Sequence, residues 1–395
     1  MCLSVSCVRR SGDKYSPDGY WWPEEPLSAS ERRQEAVQKV SRVRGYLSRE
    51  HLPGLLIGRP ENFAWITAGV ESRGRTFLFL RDDGGRFLIS CDDQVQRLQG
   101  GALKDLGYEA RTVPWYRMAD DPGPVLSVAA ELCGGRTFGS DLPFRDVHLA
   151  DSAVRALHSP LTGSEITKYR WLGKTCAEAV SRVCLGLQPG MTERGIESLI
   201  ASSLTRQAIR PAEILIATDD RISRFRAAPS SDSEKLERFV RIGVKASRWG
   251  MTVALTRFVH FGPLPRETQD WLIAAARIGA GFWARTLPGA TAGSILQGAI
   301  ADYAEAGFPD EWKASLQGGA LGYGEWEWVA SPGSQQRIAA GEAFAWRPGI
   351  RGVSVEDTML VSGENLENLT EAPGWPVVEA SAFGRIYRLP AILVR

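Results

Sequence analysis

Histidine is scarce in this chain: four residues, His51, His148, His158 and His260, among 395. So few leave little material for a His-rich metal centre. Six cysteines are scattered at 2, 7, 91, 133, 176 and 184. No pair has the spacing of a zinc knuckle, and a disulfide framework is foreign to so long a chain. They are read as reduced, mostly buried thiols of a cytoplasmic protein. No run of about 18 apolar residues exists, so no transmembrane helix and no membrane partner are expected. The start, "MCLSVSCVRR", is too short and too polar for the apolar core of a secretion signal. A formal net charge of +1 lacks the basic excess of a nucleic-acid binder.

What is present is ordinary globular material. The chain is 44% apolar and 24% charged, enough for a sizeable core and about two domains. Thirteen tryptophans are read as core and interface packing, with a wall for a flat or cationic ligand as the second reading. Residues 1–28, with "YWWPEEP", read as an irregular arm. From Ser28 to His51, Val37, Val40, Val43 and Leu47 recur at helical spacing. "PGLLIG" fits a buried strand, and "RTFLFLRDDGGRFLIS" reads as a hairpin around Asp-Asp-Gly-Gly. Alternating helices and strands follow to "TFGSD", which predicts an α/β domain over 29–158.

A second pattern begins near 159 and runs to 395. Thr162 with Glu165 three residues later is a capping box before a long periodic helix. A Pro-Gly break and a second helix from Thr192 follow, then strands at 213–217, 239–246 and 251–258. Two more helices lead into a β-rich, Gly-rich end. Neither a phosphate loop nor a Ser-His-Asp or Cys-His constellation is visible; "QGGALGYG" lacks the spacing and the Lys that the first requires.

The order "TGSEITKYR", "LQPGMTERGIE", "ALTRFVHFG", "QGGALGYG" and "GVSVEDTMLV" resembles the creatinase, aminopeptidase P and methionine aminopeptidase family. Within it, the chain is similar to an Xaa-Pro-peptidase-like subgroup that lacks the metal ligands. The resemblance implies an α/β creatinase-like N-terminal domain and an α+β "pita-bread" C-terminal domain of two related αββ halves. It also implies a homodimer, with the neighbour's N-terminal domain rimming the pocket.

The family's metalloenzymes hold two divalent cations with two Asp, one His and two Glu. Two close cations need several carboxylates to offset their repulsion. Carried over singly, those positions fall at Gly243, Ala254, Gly319, Arg347 and Glu356. Only Glu356 is a ligand type, and Arg347 reverses the charge. No metal and no other cofactor are therefore expected. Metal-free members use a His that falls here at Ala227 or Ala228, so that mechanism also lacks its His.

The remaining polar residues supply the candidates. His260, Glu356 and Glu325 are read as proton-transfer groups, with Glu325 and Glu327 sharing one face of a strand. Arg224 and Arg226 alternate as on one strand face, and with Arg257 and Arg347 they are read as anion clamps. Tyr323 and Trp346 complete the substrate-binding set. Each has a plainer reading: a solvated loop, a structural His, or an Arg347–Glu356 ion pair in place of the metal cage. Two functions remain open. One is a metal-independent enzyme acting on a small anionic or aromatic amide, amidine or amino-acid-like substrate. The other is a pseudopeptidase that binds a ligand or protein partner without turnover.

Overall fold

The computed structural model describes residues 25–72, 75–225, 229–363 and 365–395. The expected arm lies largely outside these residues. The first helix, Ala29–Arg49, starts as its sequence directs: Ser28 and Glu31 form a capping box. Its buried stripe is Glu35, Ala36, Lys39, Val40, Val43, Tyr46 and Leu47, whereas Val37 is exposed. Two charged residues thus lie on the face that packs inward.

That helix lies against a six-stranded mixed sheet. Its strand order is Glu109–Thr112, Arg86–Ser90, Phe77–Arg81, Gly54–Ile57, Gly139–Ser140 and His148–Leu149. The hairpin expected at 75–90 is there, with Phe77 opposite Ile89 and Leu80 opposite Arg86.

From residue 163 the chain repeats one order twice: a pair of helices, then strands. The first pair is Gly163–Gly186 and Glu193–Thr205, capped by Thr162 and Thr192. It leads into strands Arg210–Thr218, Phe239–Arg248 and Met251–His260, antiparallel in sequence order. Strand Ile392–Val394 joins this sheet parallel to Met251–His260. The second pair is Arg266–Arg285 and Ala292–Glu305. It leads into a five-stranded sheet ordered Trp328–Val329, Gly318–Leu321, Ala343–Trp346, Asp357–Ser362 and Asn365–Asn368.

The two sheets meet where Thr358 donates to the Ala254 carbonyl and accepts from the Ala254 N–H, both at 2.8 Å. Strand Met251–His260 is buried along its whole length, its polar members Thr252, Thr256, Arg257 and His260 included. The front of the chain is tied to this part by buried charges. Lys39 contacts Glu35 at 2.6 Å and Glu165 at 2.8 Å, and Lys168 contacts Glu35 at 2.7 Å. All four are essentially excluded from solvent.

Candidate functional site

Paired strands fix which side chains share a face. Arg241 lies opposite Phe258, Gly243 opposite Thr256, and Lys245 opposite Ala254. Directly opposed residues point to the same side of a sheet. One face therefore carries Arg241, Gly243 and Lys245 beside Ala254, Thr256 and Phe258. Gly243 is not glycine for want of room: an added Cβ would be 3.8 Å from its nearest neighbours.

Glu356 meets this face from the second sheet. It is 4% exposed, and Oε2 accepts a hydrogen bond from Thr256 Oγ1 at 2.5 Å. Arg347 follows strand Ala343–Trp346, and its N–H donates to the Gln317 carbonyl at 2.8 Å. Its guanidinium makes no hydrogen bond or ion pair among the described residues. The expected Arg347–Glu356 pair is therefore not formed; Glu356 is held by Thr256 instead.

The group beside Glu356 that sequence reading missed is Arg241, 2% exposed. Burial lowers its pKa to about 10; the Arg347 charge pushes the same way, and Glu356 opposes both. Arg241 and Arg347 line a cavity of about 10 Å³ together with Glu311, Ser315, Gly349, Gly352 and Ser354. That is room for one water-sized group. Glu311 also lies 3.6 Å from Arg351 Nε. The Ser354 hydroxyl is buried and has no hydrogen-bond partner among the described residues. The short helix Asp220–Arg224 closes over this place. Gly352, with φ of 88°, lies so close to the Ile222 carbonyl that a Cβ there would collide with it.

Among the described residues, no three His, Cys, Asp or Glu side chains gather as metal ligands. The five carried-over positions agree with this. At Gly319 even a Cβ would collide with the Trp328 carbonyl, so this backbone has no place for an imidazole. Around this cavity the guanidiniums of Arg241, Arg347 and Arg351 meet the carboxylates of Glu311 and Glu356, and the excess of positive charge repels cations. These residues do not fit a pair of divalent metals.

The other sequence candidates are dispersed. Arg257 points away from Glu356's side of its strand, because neighbours alternate. It is 1% exposed and bonded to Asp357 at 2.9 Å and to the Thr370 carbonyl at 2.7 Å. This buried ion pair corrects its reading as a clamp. His260 lies four residues beyond Thr256, about 13 Å along the strand. Its Nδ1 lies 3.0 Å from the Gly262 carbonyl, and its ring packs on Phe239.

Trp346 packs on Phe282 and Phe344 and donates to Thr286 Oγ1 at 2.9 Å, so it belongs to the core. Tyr323 is also consumed internally: its hydroxyl accepts from Lys39 at 2.9 Å and donates to Glu165 at 2.8 Å. Residues 322–327 form a loop rather than a strand, so Glu325 and Glu327 diverge. Exposed Glu325 lies 3.6 Å from Lys245, while Glu327 accepts from His158 Nδ1 at 3.0 Å. Arg224 is exposed, its guanidinium over the Phe225 ring. Arg226, Ala227 and Ala228 lie outside the described residues. The neighbouring Asp219–Arg221 group is structural. Asp219 accepts from the N–H groups of Glu237, Arg238 and Phe239, and Arg221 pairs with Glu193 at 3.0 Å.

Arg241 was open to detection. It lies two residues before Gly243 in a strand, and so on the same face as the position that lost its Asp. Trp346 carried a similar signal: alternation with Phe344 sends it to the core and turns Arg347 the other way.

Two layers of sheet backed by repeated helix pairs, behind a separate α/β front part, define the pita-bread class of two-part proteins. Residues 167–363 belong to metallopeptidase family M24. Dipeptidase PepE from Mycobacterium ulcerans superposes with a TM-score of 0.72 at 20% identity, over 86% of this chain and 97% of its own. An Xaa-Pro dipeptidase from Bacillus anthracis gives 0.70 at 15%, over 91% and 100%. The N-terminal domain of the FACT complex subunit SPT16 from Cicer arietinum gives 0.58 at 12%, over 86% and 95%. At these identities the likeness is one of fold. No curated protein matches the sequence.

Proposed function

We propose that this chain is a metal-independent member of the M24 fold whose pocket takes a small anionic ligand. One observation carries the reading: Arg241 and Arg347 line a common cavity and share the surroundings of Glu356, the one carried-over position that keeps a ligand-type side chain. Guanidinium groups recognise carboxylate and phosphate oxygens through directed N–H donors. The buried Ser354 hydroxyl supplies a neutral donor in the same cavity. The cavity admits about one oxygen-sized group, so a larger ligand enters by displacing the helix Asp220–Arg224.

Binding without turnover is the reading that the geometry supports better. Hydrolysis of an amide or amidine on this scaffold rests on Glu356 alone, since His260 and Glu325 lie elsewhere. Turnover of a small anionic substrate keeps one supporting observation, the short Thr256–Glu356 bond that presents a carboxylate near Arg241.

The test is calorimetric titration with formate, acetate and inorganic phosphate, with Arg347→Ala in parallel. At least one anion binds the native chain, and Arg347→Ala weakens it about tenfold, the loss expected for one charge-assisted contact. Equal anion binding by both proteins, or none by either, contradicts the proposal.

A further inference from the structure

A second cavity, of about 630 Å³, shares no lining residue with the Arg241–Arg347 cavity. That volume falls in the range of small-molecule sites. Its floor is strand residues Ala320, Leu321 and Ala343, and one wall is the segment from Asp151 to Leu161. Three carboxylates lie on it: Asp151, which pairs with Arg59 at 2.8 Å, and Glu327 and Glu342.

Glu327 and Glu342 are fixed in place. Glu327 Oε1 accepts from His158 Nδ1 at 3.0 Å and from the Tyr323 N–H at 2.8 Å. Glu342 accepts from Ser159 Oγ at 2.6 Å and from the Ala339 N–H at 2.9 Å. They differ in counter-charge. Arg155 Nε lies 3.7 Å from Glu327 Oε2. Glu342 has no ion pair among the described residues, only neutral donors. Arg337, the other guanidinium on the lining, donates instead to the Gly289 carbonyl at 2.8 Å.

A partly buried carboxylate without a cation is costly. Burial accordingly raises the Glu342 pKa, and Glu327 adds to the rise. His158 gives the second observation. It lines the same cavity, is 4% exposed, and its Nε2 has no hydrogen-bond partner among the described residues. Around these polar groups the lining is apolar, with Leu161, Leu321 and Trp328.

We infer that this cavity binds a small organic cation, a protonated amine on an apolar or aromatic body, with Glu342 as its counter-charge. The amine supplies the positive charge that the wall lacks, and the apolar body covers Leu161, Leu321 and Trp328. Arg155 is engaged by Glu327 and the Trp326 carbonyl, and exposed Arg337 bonds the Gly289 carbonyl away from Glu342, whose charge repels a free anion.

The test compares phenethylamine, 2-phenylethanol and phenylacetate as ligands of the native full-length chain, by ligand-observed NMR and calorimetry. Phenethylamine binds, the alcohol binds at least about tenfold more weakly, and phenylacetate does not bind. Glu342→Gln lowers the amine's affinity by a similar factor. Equal binding of amine and alcohol, amine binding unchanged by Glu342→Gln, or no amine binding at millimolar concentration overturns the inference. The ligand series uses the unmodified chain, so the test survives a variant that does not fold.

Discussion

Arg257 and Arg347 both read from the sequence as anion clamps, yet they do opposite work. Arg257 is sealed in the interior against Asp357, with Trp375 under its guanidinium. Removing one partner of a buried pair leaves the other charge uncompensated. Arg257→Ala therefore destabilises the fold by about 3–5 kcal/mol, read from urea unfolding. Arg347 is half-buried and its side chain bonds nothing among the described residues. Arg347→Ala changes stability by less than about 1 kcal/mol, a change typical of sites without special contacts. The sequence offers both as guanidiniums near the pocket and does not distinguish them. Whether an arginine is a clamp or a core ion pair depends on which side of a strand it leaves, and on what the other sheet presents there.

At the scale of elements, much was legible beforehand. Capping residues Ser28, Thr162 and Thr192 placed three helix starts correctly. The strand-like runs at 213–217, 239–246 and 251–258 fall within strands Arg210–Thr218, Phe239–Arg248 and Met251–His260. What sequence could not supply was contact between distant elements. Tyr323 was read as a pocket residue because it follows a glycine-rich turn. It instead joins the first helix to the helix at 163–186 through Lys39 and Glu165. Residues 284 and 158 positions away in the chain meet there, which no local pattern announces. Tyr323→Phe keeps the ring but leaves two buried charges short of a partner. It costs about 1–3 kcal/mol, the penalty for unsatisfied buried polar groups, and lowers the thermal midpoint. A variant as stable as the native chain would contradict this role.

For the whole molecule, the same buried charges couple stability to pH. Burial raises the Glu165 pKa, but Lys39, the Thr162 N–H and Tyr323 together outweigh it. The net value lies below the ordinary 4.5. The folded chain then binds fewer protons here than the unfolded chain. This group's contribution is complete above pH 4.5 and is lost as pH falls through the folded value. Unfolding free energy measured across acidic pH therefore falls below that point, and Glu165→Gln flattens the fall. A slope unchanged in the variant would assign the acid sensitivity elsewhere.

The molecule as a whole has the pita-bread fold, and the function proposed for it is that of a pocket changed in sign. In that proposal Gly243, Ala254 and Gly319 stand where the resemblance implies metal donors, and Arg241 and Arg347 bring positive charge. This account is tested most directly by metal stoichiometry after equilibrium dialysis of the purified chain against Mn²⁺, Co²⁺ or Zn²⁺, read by elemental mass spectrometry. It predicts far less than one tightly held metal per chain. Two tightly bound equivalents would contradict it.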